Sequence, residues 1–385
     1  MTNNKDKKVL NVPNLRFPEF TGEWKKERLD EIAELSKGIG ISKEQLSSNG
    51  NPCILYGELY TKYKSEIISE VISKTNIEKN KLKHSKQNDV IIPCSGETAV
   101  DIAVARCVPF DNVLLGGDLN IIRLHKYDGA FMAYQLNSKR KIEIAKLAQG
   151  VSVVHLYGEN LKSINTFNPS LQEQQKIVRL LSLLDERIKV QNKIIEDLKK
   201  LKSAIRKRVF TSLKNEHTEN CEINQLLAYE QPSAYIVAND EYSADTTLTP
   251  VLTANKGFVL GYTNEDFGIY QKGECIIFDD FTMDTKYVSF PFKVKSSAIK
   301  ILTAKPNVNL RFMFEYLLYL ELKSEEHKRH YISEIASLVI KLPLKEKQNR
   351  IAYLMTSLDN KLVLEENIMA KYMDEKRYIL SQMFI

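Results

Sequence analysis

The sequence predicts an α+β fold: two mixed α/β domains separated by two long helices, packed as an antiparallel coiled coil with a pseudo-twofold internal repeat. Three observations support this prediction: a 40-residue helical stretch in mid-chain, its second copy 174 residues later, and β-rich runs between them. The predicted order is a polar N-terminal tail (1–12), a first domain (13–168), a central helix (169–214), a second domain (215–342) and a C-terminal helix (343–385).

The central helix is predicted from residues 171–210, which form one uninterrupted helical pattern. Forty helical residues span ~60 Å at ~1.5 Å per residue. Apolar side chains recur in alternating steps of four and three, the pattern of a coiled-coil seam. Gln191 and Lys202 are the polar interruptions of this seam.

The second helix repeats the first without a gap, since Pro169 aligns with Pro343 and ten of 42 positions are identical. A proline shortly upstream is a usual helix-start signal. The polar interruptions recur at Glu365 and Lys376. Two such seams in one chain are expected to pack against each other. The predicted seam residues are Ile177, Leu181, Leu184, Ile188, Ile195, Leu198, Ile205, Ile351, Met355, Leu358, Leu362, Met369, Tyr372 and Ile379.

The two domains contain short β-rich runs separated by Gly, Pro, Asn and Asp, which indicate a mixed unit with a curved antiparallel sheet. They also resemble each other weakly: "LNIIRL" (119–124) aligns with "SAIKIL" (297–302), and "FMAYQL" (131–136) with "FMFEYL" (312–317). Helical periodicity over residues 131–149 and 310–330 predicts a helix that covers each sheet.

Composition favours a cytoplasmic protein. No apolar run is long enough to span a membrane, and the N-terminus is polar, without the apolar core of a secretory signal. Five scattered cysteines, an odd number, are typical of reduced thiols rather than of disulfides or a zinc site.

Charge is concentrated in the central helix. Residues 169–214 carry 12 Lys+Arg against 5 Asp+Glu, whereas residues 215–342 carry 12 against 18. A basic helix can lie near an acidic polymer such as DNA. The alternative interpretation is a solvated, lysine-rich helix face.

Searches for catalytic motifs indicate a binding protein without catalytic residues, cofactor or metal of its own. The chain has no phosphate-binding Gly-x-x-x-x-Gly-Lys-Ser/Thr, no Gly-x-Gly-x-x-Gly after a strand, and no Asn/Asp-Pro-Pro-aromatic run. His327 and His330 stand three residues apart on a predicted helix, which is not enough to predict a metal site. Asp279, Asp280 and Asp284 lack the glycine and terminal glutamate of a calcium loop.

Polar loops after apolar strands are the candidate DNA-binding sites, since their side chains can hydrogen-bond base edges, and nearby cations can contact phosphates. The candidates in the first domain are Ser95, Glu97 and Thr98 for bases and Lys139, Arg140 and Lys141 for phosphates. The candidates in the second domain are Lys256, Thr282, Thr285 and Lys286.

Three segments resemble the specificity subunits of type I restriction–modification enzymes. "VPNLRFPEFTGEWKKERLDEIAEL" (12–35) resembles their opening, "NPSLQEQQKIVRLLSLLDERI" (168–188) their central conserved helix, and "IIFDDFTMDTKYVSFPFKVKSSAIKIL" (276–302) a second target-recognition domain. The second helix departs from the family's glutamate–glutamine start, with "LKEKQNRI" in place of "LQEQQKI".

The resemblance implies two target-recognition domains that each read half of a bipartite site on double-stranded DNA, with the helices as a spacer. It implies two docked methyltransferase subunits that bind S-adenosylmethionine, and endonuclease/translocase subunits that use ATP and Mg²⁺. A helix of ~60 Å exceeds one DNA turn of ~34–36 Å, which suits this plan.

Three alternatives remain open from the sequence. One is the specificity subunit of a related two-subunit restriction enzyme. Another is a coiled-coil scaffold that links two protein-binding domains. The third is a stand-alone nuclease, which would need a metal-binding acidic constellation.

Overall fold

The computed structural model describes residues 10–216, 218–255, 257–323 and 329–385. The chain divides into two compact units. Unit 1 comprises Met1–Asn192 and Asn367–Ile385, and unit 2 comprises Lys193–Glu366. Both long helices are therefore shared between the units, whereas the sequence assigned each helix to a segment of its own.

Unit 1 contains most of the smaller elements. Its strands are β1 (Lys25–Arg28), β2 (Ala33–Lys37), β3 (Leu46–Ser47), β4 (Asn51–Ile54), β5 (Ser73–Thr75), β6 (Lys83–His84), β7 (Asp89–Pro93), β8 (Ser95–Gly96), β9 (Arg106–Val108), β10 (Leu114–Leu115), β11 (Leu119–Leu124), β12 (Val154–His155) and β13 (Asn165–Asn168). Its short helices are α1 (Leu29–Ile32), α2 (Glu58–Thr61), α3 (Ala99–Ile102), α4 (Gly129–Asn137), α5 (Lys141–Lys146) and α6 (Gly158–Leu161).

The two long helices are α7 (Leu171–Ser212), of 42 residues, and α10 (Lys345–Met383), of 39 residues. The remaining elements of unit 2 are β14 (Glu219–Glu222), α8 (Ile223–Leu226), β15 (Leu227–Glu230), β16 (Thr249–Leu252), β17 (Val259–Thr263), β18 (Cys275–Asp279), β19 (Thr285–Val288), β20 (Lys293–Val294), β21 (Ile299–Ala304), α9 (Leu310–Tyr319) and β22 (Val339–Leu342).

Each unit is built around a four-stranded antiparallel sheet, as the sequence predicts. The strand order is β2-β11-β7-β9 in unit 1 and β15-β21-β18-β19 in unit 2. A second sheet, five-stranded in unit 1 and three-stranded in unit 2, contains one parallel pair in each unit, β10 with β4 and β16 with β20. Every residue of β7 and β18 is buried, so both faces of these central strands are covered.

The long helices form because residues 171–212 and 345–383 contain neither proline nor glycine. They run antiparallel within each unit. In unit 1, Ile177 and Leu181 share a core cluster with Ile379 and Met383. In unit 2, Lys202 pairs with Asp359 and Lys199 with Glu366.

None of the fourteen predicted seam residues is exposed. Much of their contact is with the domains rather than with the partner helix. Ile177 and Leu181 pack with Trp24 and Phe131 of unit 1, and Met355 joins a cluster around Phe312 of unit 2. The seam is therefore also part of each domain's core.

Both predicted covering helices are shorter than expected. The first ends at Asn137, whose side-chain amide exchanges two hydrogen bonds with the backbone of Ala105, and the chain restarts as α5. The second, α9, ends at Tyr319, close to Glu321 with a positive φ of 48°. A positive φ in a non-glycine residue is incompatible with a continuing right-handed helix.

The described part of the chain contains no helix long and apolar enough to cross a membrane. All five cysteines are free thiols, and four of them are buried.

Candidate nucleic-acid interface

A buried glutamine fixes the start of each long helix to its domain. Gln174 donates through Nε2 to the carbonyl of Pro169 (2.9 Å), and its Oε1 accepts from the backbone N–H of Asp128 (2.9 Å). Gln348 repeats this arrangement with Pro343 and Asn309, also at 2.9 Å. Both glutamines are at most 1% exposed.

The same backbone positions cap the short helices that the glutamines hold. Asp128 accepts from the N–H of Phe131 at the start of α4, and Asn309 accepts from the N–H of Phe312 at the start of α9. One hydrogen-bond chain thus links proline, glutamine, cap residue and short helix in both units. This satisfies donors that a helix start leaves unpaired.

The C-terminal end of a long helix packs against the short helix of each unit through paired phenylalanines. Phe384 lies 5.3 Å from Phe131 in unit 1, and Phe210 lies 5.4 Å from Phe312 in unit 2, measured between ring centroids. Phe210 and Phe384 are 174 residues apart, the sequence repeat distance. The repeat is therefore a repeat of tertiary contacts.

The lysines that interrupt the seams are the centres of buried ion clusters. Lys376 contacts carboxylate oxygens of Glu66 and Asp185, both at 2.6 Å. In unit 2, Lys202 contacts Asp359 and, at 3.4 Å, Glu315. Asp185 and Asp359 are also separated by 174 residues, so each cluster contains an equivalent lysine–aspartate pair.

Electrostatics favours the charged form of Lys376. Burial lowers the pKa of its ammonium group, but attraction by Glu66 and Asp185 outweighs burial and leaves this pKa above its ordinary value. The Tyr134 hydroxyl donates to Asp185 (2.6 Å), and burial together with that carboxylate raises the pKa of the phenol strongly.

The predicted base-contacting residues of unit 1 lie around β8 and the start of α3. Ser95 is buried and donates to Asp118 (3.2 Å), whereas Glu97 and Thr98 are exposed. Thr98 caps α3 by accepting from the N–H of Asp101. Its hydroxyl also donates to the Asp101 carboxylate (2.6 Å), so of these three side chains Glu97 is the one most open to an external partner.

The predicted phosphate contacts lie at the junction of α4 and α5 and include the first residue of α5. This junction is near the base-contacting group, because α5 packs against α3. Lys139 is exposed and Lys141 half-buried, and within the described residues neither ammonium group has a carboxylate within 4 Å. Arg140 is engaged internally: it donates to the carbonyl of Ile385 (2.6 Å), pairs with Glu143 and lies over Phe167.

The candidates of unit 2 lie on the β18–β19 hairpin. Thr282 is exposed, Lys286 is half-buried and Thr285 is buried. The Asp279 carboxylate accepts from the N–H groups of Phe281 and Thr282, which fixes the turn. Lys256 lies outside the described residues.

The acidic side chains of this hairpin have structural partners. Asp280 accepts from the N–H of Tyr331 (2.8 Å) and lies 3.4 Å from buried Lys300. His330 contacts Glu334 through Nδ1 at 3.0 Å, and His327 lies outside the described residues. Over the described ranges, no three His, Cys, Asp or Glu side chains are grouped to hold a metal ion.

The sequence candidates did not include a basic cavity of unit 2. It has a volume of about 600 Å³ and is lined by the cations Arg206, Lys207, Lys214 and Lys341, with Tyr319 beside them. Arg206 pairs with Glu315, but the other three have no carboxylate within 4 Å among the described residues. The excess of positive charge in residues 169–214, which supply Arg206, Lys207 and Lys214, was a signal for this cavity, whereas Lys341 comes from β22.

The fold is that of a duplicated two-domain α+β protein, in which one sheet-and-helix framework carries different polar loops in its two copies. The family model described as "Type I restriction modification DNA specificity domain" matches residues 21–200 and 215–371. The chain belongs to this family.

Relatives and solved structures agree with this membership. The specificity subunit of the Escherichia coli type I restriction enzyme EcoR124I/EcoR124II is 44% identical over 127 residues, which are 31% of each chain. The matched segment thus spans about a third of that relative. The S subunit of the type I system of M. genitalium superimposes with a TM-score of 0.64 at 17% identity, covering 97% of this chain and 99% of that one.

A further chain, from a structure on complex assembly and conformational transition of the type I R-M system, gives a TM-score of 0.56 at 14% identity, covering 94% and 97%. At these identities the structural likeness establishes the fold. The family membership favours a type I specificity subunit over the protein-binding scaffold and the stand-alone nuclease.

Proposed function

We propose that this chain is the DNA sequence-recognition subunit of a type I restriction–modification enzyme and does not itself catalyse a reaction. Each target-recognition domain reads one half of a bipartite site. The observation that carries this proposal is one framework, built twice, with different exposed loops: Glu97 and Thr98 after β8 in unit 1, and Thr282 on the β18–β19 hairpin in unit 2. A duplicated frame with unlike loops suits two unlike half-sites.

Charge supports a nucleic-acid partner for both units. Lys139 and Lys141 lie just before and at the start of α5, which packs against the helix that follows the candidate loop of unit 1. Lys207, Lys214 and Lys341 line the cavity of unit 2. Ser203 and Asn220 at the cavity add neutral donors. Phosphates are typically bound by this combination of lysine, hydroxyl and amide groups. The −6 balance of residues 215–342 is thus compatible with DNA binding through a local cluster.

We further propose that the long helices dock methyltransferase subunits. In α7, Leu183 and Val190 of unit 1 are 51% and 58% exposed, and Leu201 of unit 2 is 50% exposed. In α10, Val363 of unit 2 and Tyr378 of unit 1 are 55% and 64% exposed. Apolar residues beside a coiled-coil seam are what a further helix would cover.

Two methyltransferase copies and endonuclease/translocase subunits complete the proposed assembly. S-adenosylmethionine, ATP and Mg²⁺ belong to those partners in this proposal. The predicted location is the cytoplasm.

The proposal is tested with the chain reconstituted with its methyltransferase. A mobility-shift assay over a range of salt concentrations should show binding to one bipartite site that weakens as salt rises. Sequencing of methylated adenines in a host that carries both genes should return the same site. Binding without any sequence preference would refute the proposal.

The role of the helices as spacers has its own test. Deletion of residues 192–198 from α7 and of the equivalent residues 366–372 from α10 removes one heptad from each helix. This shortens each helix by ~10 Å, which corresponds to about three base pairs of DNA. The distance between methylated half-sites should change by about that amount, and the half-site sequences should stay the same. Changed half-site sequences at unchanged spacing would contradict the spacer role.

A further inference from the structure

A short hairpin of unit 1, residues 149–155, presents an apolar tip to solvent. Gln149 and His155 exchange both backbone hydrogen bonds, at 2.9 and 2.7 Å. Gly150 at the turn has a φ of +120°, and a Cβ there would lie 2.2 Å from the carbonyl oxygen of Val153. Glycine is required at this position, and the turn that it makes is tight.

The apolar side chains of this hairpin are unusually exposed. Val151 is 97% exposed, Val153 is 53% exposed, and Tyr157, just beyond the hairpin, is 55% exposed. Single exposed apolar residues are common on protein surfaces, but a group on one fixed turn indicates a contact surface. The backbone pairing of Gln149 with His155 holds the tip away from the core that could otherwise bury these valines.

The hairpin is held next to the candidate DNA-binding residues. Strand β12, which carries His155, pairs antiparallel with β8, so that His155 lies opposite Ser95. Glu97 and Thr98 follow β8 directly. The rings of His155 and Tyr157 are stacked, with their centroids 6.2 Å apart.

Cations lie near the hairpin as well. Helix α5 ends at Lys146, three residues before the hairpin begins, and packs against α3, which follows β8. Considering only the described residues, the ammonium groups of Lys139, Lys141 and Lys146 have no carboxylate within 4 Å. The surface thus combines an apolar tip, hydrogen-bonding side chains and unneutralised positive charge. This combination fits a DNA groove better than it fits an apolar protein surface.

We propose that the hairpin of residues 149–155 enters the major groove of the half-site read by unit 1, where Val151 and Val153 contact the C5-methyl groups of thymines. This inference rests on the proposed function. The major groove is wide enough for a two-stranded ribbon, and the thymine methyl is the apolar group that it displays. The neighbouring lysines contact phosphates of the same half-site, and the exposed Glu97 is placed for base edges.

The test uses the chain reconstituted with its methyltransferase and duplexes of the methylated site. Each thymine of both half-sites is replaced in turn by deoxyuridine, which removes only the methyl group. For the wild-type chain, the dissociation constant should rise roughly three- to five-fold at one or more thymines, all in one half-site. Val151→Ser and Val153→Ser should bind the thymine duplex more weakly and lose this discrimination.

Ile72→Ser is the matched control, because Ile72 is 55% exposed in the same unit, outside the hairpin. This variant should discriminate thymine from deoxyuridine as the wild type does. Fluorescence of Trp24, the single tryptophan, reports whether each variant keeps unit 1 folded.

Two outcomes would overturn the inference while the proposed function stands. One is sequence-specific binding that ignores every thymine methyl, and the other is unchanged discrimination in both valine variants. Loss of all sequence preference in the wild-type complex would instead refute the proposed function.

Discussion

Replacing Lys376 by methionine should destabilise unit 1 by about 3 kcal/mol. The lysine side chain is 14% exposed, and its partners Glu66 and Asp185 are 10% and 12% exposed. Methionine keeps most of the aliphatic volume but leaves two buried carboxylates without their cation. Removal of one partner from a buried ion pair costs roughly 3–5 kcal/mol. Asp185 retains hydrogen bonds from Tyr134 and Ser65, which favours the lower end of that range.

Urea denaturation followed by Trp24 fluorescence measures this effect, since Trp24 is buried in unit 1 and is the only tryptophan. Lys371→Met, at an exposed position of the same helix, is the control and should leave the midpoint almost unchanged. Adding Glu66→Gln to Lys376→Met should recover part of the loss, since one uncompensated charge disappears. An unchanged urea midpoint of Lys376→Met, followed by Trp24 fluorescence, would show that the ion cluster contributes no net stability to unit 1.

Three further predictions concern the glutamines at the helix starts, the pH dependence of unit 1 and the reactivity of the cysteines. Gln174→Ala and Gln348→Ala should each lower the free energy of unfolding by roughly 2–4 kcal/mol, because each leaves a buried carbonyl and a half-buried N–H unpaired. Urea denaturation of both variants measures this, and a cost in only one variant would refute the equivalence of the two helix starts. The urea midpoint reported by Trp24 should fall as pH rises above about 10. The pKa values of Tyr134 and Lys376 are raised in the folded state, so the stability they contribute is complete below their pKa values in the unfolded chain and is lost at higher pH. A midpoint independent of pH between about 9 and 11 would contradict this. At pH 8 a thiol reagent should react first with half-buried Cys221, and with the four buried cysteines only on unfolding. Burial raises the pKa values of those four thiols to about 11 or 12, so they carry little reactive thiolate. Counting the thiols that react before unfolding tests this prediction.

The long helices and their duplication could be predicted because they rest on local signals. A 3.5-residue apolar period without proline or glycine specifies a helix whatever surrounds it. The 174-residue offset could be found because aligned positions keep the same contacts: Gln174 and Gln348 each bond the carbonyl five residues upstream. The polar interruptions Lys202 and Lys376 also align at this offset, although the sequence does not show which residues they pair with.

Those partners are non-local, and the sequence contains no sign of them. Glu66, which pairs with Lys376, is 310 residues away along the chain. The end of α4 was missed for a similar reason, because Asn137 ends the helix through bonds to Ala105 on another segment. Periodicity predicted a helix through this point, and a tertiary contact overrode it.

The candidate site could be predicted only in outline. The loops after β8 and β18 were predicted as candidates because a polar run follows a buried strand. The hairpin of residues 149–155 was not, since Val151, Val153 and Val154 read as an ordinary apolar run. Only the pairing of Gln149 with His155 and the positive φ of Gly150 show that Val151 and Val153 face solvent. Burial of short apolar runs depends on tertiary structure, which periodicity does not specify.

The unlike starts of the two long helices illustrate how the repeat tolerates change. Glu173 is buried, pairs with Arg16 and accepts from the indole N–H of Trp24, whereas its counterpart Lys347 pairs with Glu216. The sign of the charge is reversed on the helix and again on its partner, so each start keeps an ion pair within its own unit. The departure from the glutamate–glutamine pattern is therefore compensated by an ion pair within each unit. What distinguishes the two units is the chemistry of their exposed loops, and sequence specificity is expected to reside there.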